Sequence, residues 1–181
     1  SGPLFTLAGQ ARYEEEIRKS RFLTHAMPIA SAEAALAFIA GISDVTATHN
    51  CWAYRLGNVY RFNDDGEPGG TAGRPILQAI DGQQCDRVVG VVTRWYGGTN
   101  LGTGGLARAY GGGAAQCLRL AERIEIVDTA ALRFHCTFSE WPMLRARLAL
   151  FSPDFREPSY LADGVEVVVD LPRIHLNAAQ V

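Results

Sequence analysis

Arg87-Val88-Val89-Gly90-Val91-Val92-Thr93-Arg94-Trp95, then Tyr96-Gly97-Gly98-Thr99-Asn100-Leu101-Gly102-Thr103-Gly104-Gly105, then Leu106-Ala107-Arg108-Ala109-Tyr110-Gly111-Gly112-Gly113, is the stretch on which the fold turns. Its first part is a β-branched apolar run, which predicts a buried strand. Its middle is a glycine-rich loop, and its last part opens a long helix reaching about Glu122. At 100° per residue, Tyr110, Gly113, Cys117 and Leu120 fall within about 40° of the direction of Leu106, and the five predict the core-facing stripe. Arg108, Gly112, Ala115 and Arg119 fall on nearly the opposite side, so arginines bound a face with almost no side chain between them. Three consecutive glycines inside a helix cost about 1 kcal/mol each relative to alanine. Either tight packing or the close approach of an external backbone must offset that cost.

Upstream, residues 11–30 read as extended, and Ser31 is an N-cap for a helix over Ala32–Ile39 that Gly41 stops. Cys51–Leu56 and Val59–Phe62, joined at Gly57-Asn58, predict a β-hairpin. Asn63-Asp64-Asp65-Gly66-Glu67-Pro68-Gly69-Gly70-Thr71-Ala72-Gly73-Arg74-Pro75 is turn chemistry almost throughout, and Pro75 opens a short helix to about Ile80. Downstream, strand Ile124–Val127 closes a first domain, residues 1–127. From Asp128 glycine nearly vanishes. Strand 131–138, helix 142–150, strand 156–161 and strand 165–171, with a turn at Asp163-Gly164, are the first two-thirds of a ferredoxin-like unit. The closing helix and strand would have to follow Pro172, so residues 128–181 predict an incomplete ferredoxin-like domain, truncated or naturally short. The fold class is α+β in two domains.

Of the 181 residues, 48% are hydrophobic and 20% charged, the balance of a globular chain with a real core. The net charge of −2 gives no global field toward nucleic acid or membrane, so RNA binding would need a local patch. Lys19 stands alone against sixteen arginines, a bias that suits bidentate phosphate recognition and that a GC-rich genome would equally produce. Cys51, Cys85, Cys117 and Cys136 are scattered singly, which argues against structural zinc and for reduced thiols. No apolar run reaches the length of a bilayer span, and the first residues lack a signal-peptide pattern. The expected location is the cytoplasm.

Several chemistries can be weighed on these residues. The start of the long helix is the clearest anion site, because its backbone N–H groups carry partial positive charge and glycines let a ligand come near. It is not a P-loop, since no lysine follows Gly98 at the required interval. Gly102-Thr103-Gly104-Gly105-Leu106-Ala107 fits G-x-G-x-x-A formally, without the βαβ units of a dinucleotide fold. Asp64, Asp65 and Glu67 could hold a divalent metal through oxygens, or simply bond their own backbone. His49-x-Cys51 offers two ligands only, and His25, His135 and His175 have no assignable partner. No motif joins a serine or cysteine to a histidine and an acid for nucleophilic catalysis.

Two long motifs in fixed order, Asp64-Asp65-Gly66-Glu67-Pro68 through Gly70-Thr71-Ala72-Gly73 and Pro75, then Arg94-Trp95-Tyr96-Gly97-Gly98 through Leu101-Gly102-Thr103-Gly104-Gly105-Leu106 with Arg108-Ala109-Tyr110, resemble the IMPACT family in its bacterial YigZ branch. The resemblance covers about residues 12–127 and, more loosely, 128–181. It implies a first domain with the α/β sandwich fold shared by a small-subunit ribosomal protein domain and domain IV of elongation factor G, and a ferredoxin-like second domain. It also implies a link to translation, through binding rather than catalysis. Gly69 departs from the serine or alanine usual in the family, and Thr99-Asn100 from a more apolar or basic pair.

Together these readings predict a non-enzymatic protein that binds RNA, the ribosome or a translation factor. Arg94, Arg108 and Arg119 would contact phosphate, Gly102, Thr103, Gly104 and Gly105 would form an anion nest, and Tyr96 would be a stacking platform. Asp64, Asp65, Glu67 and Thr71 form a second loop of unassigned role. No catalytic residue, metal or cofactor is predicted. A protein-interaction module and a metal-assisted hydrolase on Asp64, Asp65 and Glu67 are the alternatives.

Overall fold

The computed structural model describes residues 2–180 and divides into two compact units, one ending at Ile126 and the other starting at Val127. The first unit is built on an antiparallel sheet of β2 (Ala11–Ile17), β3 (Ser20–Pro28), β6 (Val88–Trp95), β4 (His49–Leu56) and β5 (Val59–Asn63), in that spatial order. The β-branched run lies in the middle, where both neighbours pair with it, and Val88 to Arg94 are all buried. Alternation sends Phe22, Ala26, Cys51, Ala53, Val88 and Val92 to one face and Trp52, Tyr54, Val89 and Val91 to the other. Helices α2 (Gly73–Gly82) and α3 (Gly102–Leu120) cover the first face. Helix α1 (Ala32–Ile42) covers part of the second.

Ser31 caps α1 as its position predicts, its Oγ accepting the Ala34 N–H at 3.0 Å. Gly41 does not stop that helix; Ser43 does, by donating both its N–H and its hydroxyl to the Ile39 carbonyl. The extended stretch 11–28 is a hairpin turning on Arg18 and Lys19, both at positive φ. A short strand absent from the sequence reading, β1 (Leu4–Leu7), pairs with β7 (Arg123–Ile126).

Along α3, Leu106, Tyr110, Gly113 and Cys117 are buried, whereas Leu120 is 69% exposed. The stripe ends a turn early because the helix stops at Leu120 and the chain turns away to β7. The three glycines divide in role. A methyl group on Gly111 would lie 3.3 Å from the Pro75 carbonyl oxygen of α2, and one on Gly113 would lie 3.1 Å from Thr24 Oγ1 of β3. Gly112 faces open space. Internal packing therefore accounts for two of the three.

In the second unit, β8 (Thr129–Cys136) and α4 (Trp141–Leu148) precede β9 (Asp154–Phe155), β10 (Ser159–Leu161) and β11 (Gly164–Pro172). β11 lies between β8 and β10, and β9 also pairs with β11, so the single strand expected over 156–161 is two short ones. The order is the expected partial ferredoxin-like β-α-β-β. Contrary to expectation, a helical segment does follow Pro172: a 3₁₀ turn at Arg173–His175 and α5 (Leu176–Ala179), with Ala179 packed against Leu148, Val169 and Leu171. Among the described residues no strand pairs with the β8 edge opposite β11. No helix among them is long and apolar enough to cross a membrane.

Candidate functional site

The loop between β6 and α3 is fixed at its start. Gly97 sits so close to the β2–β3 turn that a methyl group there would fall 1.8 Å from the Lys19 carbonyl oxygen, so only glycine fits. The Tyr96 N–H donates to Thr48 Oγ1 at 2.9 Å, and the Tyr96 hydroxyl donates to Asn100 Oδ1 at 3.0 Å. Tyr96 is nonetheless 46% exposed. Helix α3 begins at Gly102, four residues before the apolar stripe, so Gly102 to Gly105 form its first turn rather than a free loop. No side chain caps this end, and no carbonyl or side chain among the described residues accepts from the N–H groups of Gly102, Thr103 or Gly104. All three residues are exposed. One turn on, the Arg108 guanidinium folds back: a methyl group on Gly104 would lie 3.3 Å from its Nη1. Arg108 has no ion pair among the described residues, and Arg119, also exposed, bonds only the side chain of Gln116.

Arg94 corrects the sequence reading. It is 5% exposed, with Nη1 on both oxygens of Glu67 (3.1 and 2.8 Å) and Nε on Ser20 Oγ (3.2 Å). Its guanidinium also lies over the rings of Phe22 and Tyr96, 5.6 and 5.4 Å from their centroids. It cannot serve as an open phosphate contact beside Arg108, because its charge is spent on a buried carboxylate.

Glu67 is the hub of this buried cluster. Besides Arg94 it accepts the Tyr110 hydroxyl, whose proton is held well above the ordinary tyrosine range by burial and by Cys51 and Glu67 beside it. His49 Nδ1 donates to the Asp65 carbonyl at 2.7 Å and so presents Nε2 to Glu67 at 3.3 Å. Sequence reasoning missed Ser20, His49 and Tyr110 in this role, for their partners lie 16 to 74 residues away in the chain.

The loop from Asn63 to Gly73 is closed by its own acids. Asp64 Oδ1 accepts the N–H groups of Ala72 (3.0 Å) and Gly73 (2.8 Å), and Oδ2 accepts that of Gly70 (2.9 Å). Its carboxylate thus occupies the start of α2. Burial pushes the Asp64 carboxyl up, but these three N–H groups and Arg74 outweigh it and hold the group below its usual range. Asp65 Oδ2 accepts the Asn50 N–H at 2.6 Å, and the Thr71 hydroxyl donates to the Pro68 carbonyl at 2.5 Å. The hydrolase reading loses its ligands here: each carboxylate is engaged by a different set of donors. Among the described residues no three His, Cys, Asp or Glu side chains are grouped to hold a metal ion. All four cysteines are free and buried, and burial raises the Cys51 thiol far above its ordinary value. His135 does have a neighbour, Asp163 at 3.4 Å.

Between the two loops lies a cleft of about 460 Å³. Tyr96, Gly102 and Thr103 line it together with His49, Glu67 and Arg94. Arg108 and Arg119 lie outside it on α3.

Residues 18–118 match the Impact N-terminal domain. A Thermus thermophilus protein described as an IMPACT family member in the pol 5′ region is 47% identical over 156 residues, 86% of each chain. An IMPACT family member of Haemophilus influenzae is 44% identical over 165 residues, covering 84% of this chain and 80% of that one. A crystal structure of a hypothetical protein superposes with a TM-score of 0.68 at 33% identity, over 99% of this chain and 90% of the other.

Proposed function

Because the chain belongs to the IMPACT family, we propose that it is a non-enzymatic binding protein of the translation machinery, engaging RNA through the start of α3. One observation carries this reading: a 19-residue helix begins in exposed residues whose first N–H groups have no acceptor among the described residues, with the guanidinium of Arg108, which has no ion pair among them, beside Gly104. A helix start carries about half a positive charge, and an uncapped one attracts a phosphate. Arg119 extends the positive face along the same helix, three turns on. Of the acidic side chains in the neighbouring loop, Asp64 is held by the loop's own N–H groups and Glu67 by Arg94, so neither competes.

The test is retention on single-stranded RNA and on ribosomes across a salt series. RNA affinity of the native protein falls steeply with salt, and Arg108→Ala with Arg119→Ala weakens it about tenfold. Unchanged retention by the double variant would refute the reading. Capture of a protein partner that survives nuclease treatment, with no RNA affinity, would replace it by the protein-interaction reading.

A further inference from the structure

We infer that Arg18 and Lys19, the turn at the tip of the β2–β3 hairpin, are a second phosphate-binding element, so that one RNA strand passes from the start of α3 across this tip. The inference rests on the RNA reading above and adds residues to its surface. Ile17 pairs with Ser20, which leaves Arg18 and Lys19 as a two-residue loop with φ of 46° and 71°. Such a loop favours Asn-Gly, because other side chains crowd the backbone at positive φ. Two long cations stand there instead, both exposed. Neither side chain has a hydrogen bond, ion pair or ring contact among the described residues, so no polar contact within them offsets the cost of the turn. Strain that the fold does not use is a reason to look for a ligand.

The turn is held in place from both sides. Its Lys19 carbonyl lies against Gly97, and the adjoining Ser20 is fully buried, its hydroxyl accepting Arg94 Nε. It is also level with the start of α3. That helix runs along β3 in the same direction: the Tyr110 ring meets Phe22 edge-on at 5.3 Å, and a methyl group on Gly113 would lie 3.1 Å from Thr24 Oγ1. Counting back from the ring contact, Lys19 lies three strand residues, about 10 Å, before Phe22. Gly104 lies six helical residues, about 9 Å, before Tyr110. The two cations of the turn and the exposed α3 start, with Arg108 beside Gly104, therefore share one end of the unit. The acids of β2 are placed elsewhere. Glu14 is bonded by Arg12 and Arg21, Glu16 stands across the hairpin from Arg21, and Glu15 lies by Gly113, about three turns beyond the helix start. A polyanion with a charge at every residue fits two cationic sites set apart in this way, whereas one small anion fills only one of them.

The test compares the full chain with its Arg18→Asn plus Lys19→Gly variant, which removes both charges and installs the residues this loop favours. The variant should melt at a higher temperature than the native protein. It should also bind single-stranded RNA about tenfold more weakly, with the slope of log affinity against log salt reduced by about 1.4. Stability and binding then move in opposite directions, which damage to the fold cannot imitate. Lys19 is the only lysine, so amine-specific labelling of the peptide that carries it gives a second measure. Saturating RNA should slow that labelling about tenfold. Unchanged RNA affinity in the turn variant, or Lys19 labelling indifferent to RNA, would overturn the inference. If Arg108→Ala with Arg119→Ala still weakens binding in that case, the RNA reading stands without it. Weaker binding in the turn variant with none in the arginine pair would uphold the turn as a phosphate contact and refute the α3 reading. A native protein that retains no RNA would overturn both.

Discussion

Two glycine-rich segments, 63–73 and 96–105, lead into two helices that pack side by side on one sheet face, and they end in opposite electrical states. At α2 the donors of the helix start are filled from within, by the Asp64 carboxylate. At α3 the equivalent donors have no acceptor among the described residues, and the guanidinium of Arg108 lies beside Gly104. The same backbone chemistry is structural where the chain supplies its own anion and available for binding where it does not. Glycine content alone does not separate the two.

The largest effect should come from the filled side. Glu67→Ala removes the acceptor of the buried Arg94 and of Tyr110, and should destabilise the first unit by about 3–5 kcal/mol, read from denaturant unfolding. A loss under about 1 kcal/mol would mean the cluster is as open as the α3 start, and the contrast would break. Asp64→Asn comes next, at about 2 kcal/mol, since an amide cannot accept three N–H bonds as a carboxylate does. Its acid profile carries a sign. The folded-state carboxyl is held below its ordinary 3.8, so Asp64 adds stability above that value and loses it as pH falls through the lower folded-state value. In Asp64→Asn that part of the loss between about pH 4 and the lower value disappears.

On the open side, Arg108→Ala with Arg119→Ala should leave the melting temperature unchanged and reduce the slope of log affinity against log salt on single-stranded RNA by about 1.4. The smallest effect sharpens the comparison most. Thr103→Asp gives α3 the carboxylate that α2 already has, and should stabilise the unit by about 0.5–1 kcal/mol at neutral pH while ending RNA retention. If it destabilises, the α3 start was not short of an anion.

Much of the fold was legible because periodicity survives without tertiary context. The buried strand at 88–95, the Ser31 cap, the hairpin at 51–62 and the β-α-β-β order after Asp128 each follow from spacing and turn chemistry. Leu120 was misplaced because a helical stripe cannot say where its helix stops. The short β1 carries too few residues to announce itself, and its partner β7 lies more than a hundred residues away. At the site, Gly102, Thr103, Tyr96 and Arg108 are exposed, whereas Arg94, expected as an open cation, is buried.

The amino-acid order by itself determined where most of the longer helices and strands run, which loops are rich in glycine, and the family, since all of these depend on neighbours within a few residues or on ordered motifs. Which main-chain donors and which arginines stay free was decided only by folding. Arg94 is neutralised by a carboxylate 27 residues away and held by a serine 74 residues away. Every residue but proline carries the same N–H, so its availability depends on whether the fold brings an acceptor to it, and that is a property of three dimensions.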